Sequence, residues 1–255
     1  MLPVFLKCFL LIVTYVSIWY LIALFKQRND VADIAWGLGY VLVCLYLFGF
    51  HSKEPISLLL YALVSLWGLR LSIHIYARNK GKQEDFRYKQ WRAEWGKTFY
   101  WRSFLQVFLL QGIILMIIIS PIIFSTTVTH QPFNSITFIG VTLWIVGFFF
   151  QAVGDYQLKV FSKKRKTREE IIQTGLWKYS RHPNYFGEIL MWWSIFFIVL
   201  PFDNSLWFII SPITITYLLL YVSGVPLLEA KYKGNTAFNS YKQRTNAVFP
   251  WFPKK

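Results

Sequence analysis

GLWKYSRHPNYFGEILMWWSIFFIVL, residues 175–200, sets a dense polar and aromatic run directly against an apolar helix that starts near Tyr185. Tyr179, Ser180, Arg181, His182, Asn184, Tyr185 and Glu188 fall within ten positions of one another. A hydrocarbon core tolerates such a cluster only where it lines a cavity or a protein-filled site. The stretch reads as the edge of a membrane span and as the place where the chain does its chemistry.

The rest of the chain agrees with a membrane setting. Of 255 residues, 55% are hydrophobic and 20% aromatic, with a mean hydropathy of +0.40. That is far from soluble usage. A bilayer core of roughly 30 Å takes about 20 helical residues to cross. Seven stretches qualify: about 3–25, 31–50, 55–77, 104–124, 134–156, 184–202 and 206–228. Residues 2–25 are too long and too uniformly apolar for a cleaved signal and read as a retained helix. Cys8 and Cys44 both fall in apolar segments, so neither a disulfide framework nor a CxxC pair exists. The expectation is an all-α integral membrane bundle of about seven transmembrane helices, forming one domain over 1–255.

The formal net charge is +15, and its placement explains it. Of the 27 Lys and Arg residues, 24 lie in alternate connections: Lys26 and Arg28, eight over 78–102, eight over 159–181, and six from Lys231 onward. The intervening loops hold only Lys53. Cytoplasmic loops carry the Lys/Arg excess, which puts the N-terminus outside and the C-terminus in the cytoplasm. The charge is topological, and no nucleic-acid partner is expected. A bacterial inner membrane and the endoplasmic reticulum obey the same rule.

Ionisable residues within spans are functional candidates, and here they share one level. Asp33 opens span two. Arg70, His74 and Arg78 are spaced i, i+4, i+8 at the end of span three, and Gln151, Asp155 and Lys159 repeat that spacing in span five. Glu188 opens span six and Glu229 closes span seven. The outer halves carry almost nothing ionisable, so the polar face opens toward the cytosol. Arg78 and Lys159 also fit side chains snorkelling to head groups. The loop with GKQEDFRYKQW, residues 81–91, fits an amphipathic surface helix, and the loop with KKRKTREE, residues 163–170, fits a lipid-facing basic cluster. Either would equally serve a phosphate-bearing ligand.

Several chemistries lack their residues. No two of His51, His74, His130 and His182 are spaced i, i+4, so no metal site is expected. GxGxxG, P-loop and GxSxG patterns are missing. A cytosol-facing cavity remains, with aromatic walls, carboxylates, arginines and a histidine. It suits a bulky apolar substrate entering from lipid and a charged cosubstrate entering from water.

SRHPNYFGE (180–188), DVADIAWGLGYV (30–41), EDFRYKQWR (84–92), LLQG (109–112) and RTNAVFPWFP (244–253) together resemble the DUF1295 membrane proteins of the steroid 5α-reductase-like group. The resemblance runs from about Asp30 to the C-terminal end. RHPNY by itself is also similar to isoprenylcysteine carboxyl methyltransferases. The resemblance implies a seven-helix membrane reductase with NADPH in its cytoplasmic half and a cofactor half over about 150–255. It implies hydride transfer to the β-carbon of an electron-poor double bond in a steroid, sterol or polyprenoid-like lipid, with a donor polarising the carbonyl. Carried over by motif, the cofactor residues are Asp155, Lys159, Tyr179, Arg181, His182, Asn184, Tyr185, Glu188, Glu229, Tyr241 and Arg244, with Arg78 added from span three. Arg181 and Arg244 would serve phosphate oxygens. Asn184, Tyr185 and Glu188 would serve ribose or nicotinamide groups. His74 is the expected donor, with Asp33 orienting it. The rival readings are an S-adenosylmethionine-dependent membrane methyltransferase and a non-catalytic seven-span lipid-binding protein or receptor.

Overall fold

The computed structural model of the chain describes residues 2–129, 132–167 and 169–254. His130, Arg168 and Lys255, counted above, lie outside the described residues. Among the described residues every regular element is helical. The chain divides into two compact units, Met1–Pro132 and Phe133–Lys255.

The first unit contains α1 (Leu2–Lys26), α2 (Val31–Phe50), α3 (Pro55–Asn79), α4 (Phe86–Trp95), α5 (Phe99–Ser103) and α6 (Leu110–Ser125). A widened helical turn over Phe104–Leu109 joins α5 to α6. The second unit contains α7 (Ser135–Lys164), α8 (Pro183–Val199), α9 (Ile210–Tyr217), α10 (Val225–Ala230) and α11 (Thr236–Arg244). Six helical stretches are long and apolar enough to cross a membrane: Pro3–Lys26, Val31–Phe50, Pro55–Asn79, Phe86–Ser125, Ser135–Lys164 and Ser205–Ala230.

The sixth expected span, 184–202, is α8, and it is shorter than expected. Its 17 residues make a helix of about 25 Å, short of the hydrocarbon thickness. Pro183 occupies its first turn, where the missing N–H costs nothing. It ends at Val199, two residues before Pro201, which has no N–H with which to continue the helical ladder. Met191, Trp192, Ile195, Ile198 and Val199 are all buried. A helix apolar on every side belongs in an interior, and α8 is the core of its unit. The fifth expected span also differs. It runs on to Lys164, and it starts at a capping box in which Asn134 Oδ1 accepts from Thr137 N at 2.9 Å.

Glycines set the closest helix crossings. In the first unit, α2 and α3 cross at Gly37 and Gly68. A Cβ on Gly68 would lie 2.6 Å from Gly37 O, and Ser72 Oγ donates to Ile34 O at 2.9 Å beside the crossing. In the second unit, Gly140, Gly147 and Gly154 repeat every seven residues along α7 and face α8. A Cβ on Gly147 would lie 2.7 Å from Gly187 O, and one on Gly187 would lie 2.6 Å from Gln151 N. Lipid tails are as apolar as leucine, so close backbone approach through small residues, rather than a hydrophobic driving force, joins such helices.

Candidate functional site

Each unit holds a polar cluster. In the first, the turn after α1 and the loop before α4 are sewn together. Arg28 grips Asp30 through two bonds of 2.7 and 2.6 Å. Asn29 N donates to Glu84 Oε1 at 2.6 Å, and Arg92 Nη2 reaches Glu84 Oε1 at 3.1 Å and Gln27 O at 3.1 Å. Asp85 caps α4 by accepting from Arg87 N at 3.0 Å. Asp33, at the start of α2, takes Arg87 Nη2 at 3.0 Å and Tyr88 Oη at 2.7 Å. Both of its carboxylate oxygens are thus held by α4. His74 sits half-buried on α3, one turn from half-buried Arg70 and exposed Arg78. Arg78 Nε donates to Asn79 Oδ1 at 3.2 Å.

The second unit holds most of the residues expected from sequence. The glycine crossing aligns two helical turns of α7 with two of α8. Gln151 Nε2 donates to Glu188 Oε2 at 3.0 Å, and Asn184 Nδ2 donates to Asp155 Oδ1 at 3.0 Å. The four side chains form a ladder of two amide–carboxylate rungs, one helical turn apart. Gln151, Asp155 and Glu188 are buried. The amide nitrogens face the carboxylates, so the amide oxygens point away from them. Gln151 Oε1 and Asn184 Oδ1 are buried and accept from no donor among the described residues. A buried acceptor left without a donor costs about 1–3 kcal/mol. The ladder therefore presents a surface that asks for N–H or O–H groups.

Next to it lies a charged knot. Arg181 bonds Glu229 Oε1 through Nε at 2.9 Å and Nη2 at 2.8 Å. Its Nη1 donates to Lys242 O at 3.3 Å and to Thr245 O. Lys242 Nζ takes the other Glu229 oxygen at 2.8 Å. Tyr241 Oη donates to Trp177 O and to Ser180 O, the latter at 3.2 Å, and burial holds its pKa above the usual phenol value. Ser180 Oγ donates to Val248 O at 2.7 Å and accepts from His182 N at 3.1 Å. The SRHPNY turn is thereby tied to α10, α11 and the C-terminal strand of loop. Arg181, expected to serve phosphate oxygens, spends its guanidinium on this internal work instead.

His182 links the knot to a cavity. Its Nε2 lies 3.3 Å from Glu229 Oε1, and its ring stacks on Tyr185 at 5.3 Å between centroids. Nδ1 is buried without a partner among the described residues. A cavity of about 210 Å³ is walled by Phe161, Ile172, Trp177, Phe238 and Tyr241, with His182, Arg165 and Lys231 also on its lining. Burial pushes the His182 pKa down, against the opposing pull of Glu229 and with help from Arg181. The ring is neutral in the folded state where the unfolded chain would already take up a proton. Stability therefore rises with pH through the ordinary histidine range and falls as pH drops below about 6.5. Melting temperatures of detergent-solubilised protein between pH 8 and pH 5.5 should show that decline, and His182→Gln should flatten it. A wild-type melting temperature independent of pH would contradict this account of His182.

The chain's residues 19–245 match the family model described as a protein of unknown function, DUF1295. The chain belongs to the DUF1295 family. No curated protein matches it. In this DUF1295 protein the motif residues separate into groups. Asp155, Asn184 and Glu188 stand together on the ladder. Arg181, His182, Glu229 and Tyr241 stand together at the knot. Tyr179 is half-buried, its carbonyl accepting from Trp251 N at 2.9 Å. Lys159 and Arg244 are exposed, Arg244 Nε reaching Ser240 O at 3.4 Å. Two participants escaped sequence reasoning. Gln151 was visible only as a polar step on α7, and Tyr88 only as part of a surface loop. Their partners lie 37 and 55 residues away, and no local pattern announces them.

Proposed function

We propose that this multi-pass membrane protein is an NADPH-dependent reductase that transfers hydride to a conjugated double bond of a lipid-soluble substrate of the steroid, sterol or polyprenoid kind, from a site facing the cytoplasm. The observation that carries the reading is the α7–α8 ladder. Its two buried amide oxygens lack donors, and two buried carboxylates stand beside them. A nicotinamide carboxamide and ribose hydroxyls supply N–H and O–H donors of the kind that such a surface requires. The residues present therefore fit the cofactor. Asn184, Glu188, Gln151 and Asp155 would hold its nicotinamide–ribose end, while Arg165 and Lys231 on the cavity lining are cations suited to its phosphates. Bound NADPH would supply the hydride.

Reduction places hydride on the β-carbon and negative charge on the substrate carbonyl oxygen, where a hydrogen-bond donor lowers the barrier. One candidate donor lies in the first unit. His74 is the one expected from sequence. Tyr88 is not available for this role, since its single hydroxyl hydrogen already goes to Asp33 Oδ1 at 2.7 Å. Arg181 and Glu229 act as anchors of the RHPNY turn.

The test is cosubstrate binding to protein in nanodiscs, read as a thermal shift, with NADPH, NADH and S-adenosylmethionine in parallel. NADPH at 100-fold over its Kd should add about 2.7 kcal/mol. Asn184→Ala and Glu188→Gln should remove most of that shift. With NADPH and candidate enones, His74→Phe then tests the donor. The variant that removes the donor should cost on the order of 10²–10⁴ in turnover. A shift with S-adenosylmethionine alone would replace the reductase with a methyltransferase, and no shift with any of the three would favour a non-catalytic lipid-binding protein.

A further inference from the structure

We propose that the segment from Lys80 to Trp101 is a binding surface for anionic lipid head groups, independent of the reductase reading. Two of its three acids are consumed internally. Glu84 serves Arg92 and Asn29 N, while Asp85 serves Arg87 and the first turn of α4. The arginines are likewise engaged, Arg87 with Asp33 and Arg92 stacked over Phe99 at 4.1 Å. What remains outward are Lys80, Lys82, Lys89 and Lys97, all exposed and in no ion pair among the described residues. Against these four stands one exposed acid, Glu94, which accepts from the neutral Gln90 amide at 2.7 Å. Pairing inside the segment has left an outward face of net positive charge.

Aromatic side chains are set among these lysines. Tyr100 is 63% and Trp101 53% exposed, and Trp91 stacks on Trp95 at 5.4 Å with 12° between the rings. Exposed Trp and Tyr beside Lys are the side chains that settle at head-group depth. Length places the segment there too. The helical stretch Phe86–Ser125 has 40 residues, about 60 Å if straight, twice the hydrocarbon thickness. Its apolar part begins at Phe104, so Phe86–Ser103 must lie outside the core. Gly96, at φ 47°, turns the chain within the first part, between α4 and α5. Four ammonium groups against one outward carboxylate, held at the level of lipid phosphates, select a head group with net negative charge over a zwitterionic one.

The experiment reconstitutes the full chain in nanodiscs of phosphatidylcholine, alone and mixed with phosphatidylglycerol. Native mass spectrometry reads the lipid retained on release. The wild type should retain phosphatidylglycerol preferentially, and less so as salt rises. Each of K80Q, K82Q, K89Q and K97Q should weaken retention by about fivefold, and K53Q in the loop between α2 and α3, an exposed lysine outside the basic clusters, should leave it unchanged. The single variants keep the test open should the fourfold variant fail to fold. Equal retention of both lipids, or equal retention by wild type and lysine variants, would overturn the proposal. A dimer signal in the wild type that the lysine variants lose would overturn it as well, assigning the surface to a second copy.

Discussion

Gly187→Leu is expected to leave no monodisperse protein in a detergent extract. The crossing of α7 and α8 brings backbone against backbone, with a Cβ on Gly187 2.6 Å from Gln151 N and one on Gly147 2.7 Å from Gly187 O. Backbone atoms cannot rotate aside as a side-chain end would, so the helices must separate. Overpacking alone costs about 1–3 kcal/mol. Separation also breaks the Gln151–Glu188 and Asn184–Asp155 rungs, taking a donor from each buried carboxylate. The combined loss should exceed about 4 kcal/mol, a large share of the stability of an ordinary domain. Gly49→Ala on α2 is the control. Nothing lies within 4 Å of a Cβ there, and replacing glycine within a helix should gain up to about 1 kcal/mol. Fluorescence-detected size-exclusion profiles of the two variants decide the matter. A Gly187→Leu profile like that of wild type would refute the crossing.

That crossing shows how much of the molecule was legible beforehand. Helix positions along the chain follow from apolar length, and most observed boundaries fall within a few residues of those expected. Where they depart, tertiary burial accompanies the change: α8 has 17 residues and buries most of them inside its unit. The polar steps Gln151 and Asp155 on one helix were readable from i, i+4 spacing, and Asn184 and Glu188 on another from the dense polar run over 179–188. Their pairing was not, because register between helices is decided by Gly140, Gly147 and Gly154, whose heptad repeat marks a seam without naming its partner. Asp33 was readable as a candidate and Tyr88 was not, since a phenol in a basic surface loop gives no sign that it reaches back 55 residues. Motif resemblance singled out the RHPNY turn but gave no sign of the internal bonds Arg181 makes. Its partners Glu229, Lys242 O and Thr245 O follow it by 48 to 64 residues.

Arg181→Ala should therefore destabilise the protein by about 3–5 kcal/mol with no cosubstrate present. Arg181 and Glu229 are only 8% and 10% exposed as side chains. Removing the guanidinium leaves Glu229 facing Lys242 and His182, and it leaves the carbonyls of Lys242 and Thr245 without their donor. A phosphate ligand predicts otherwise: an unliganded protein of near-normal stability that has lost its response to NADPH. Comparing unliganded melting temperatures of wild type and Arg181→Ala separates the two. The double variant Arg181→Met/Glu229→Met sharpens the comparison, because replacing both partners by apolar groups removes the stranded charge. It should recover part of the loss, as breaking one partner of a buried pair costs more than removing both. If Arg181→Ala instead melts within about 0.5 kcal/mol of wild type, as an ordinary surface substitution does, the anchor role fails and the arginine returns to the candidates for phosphate.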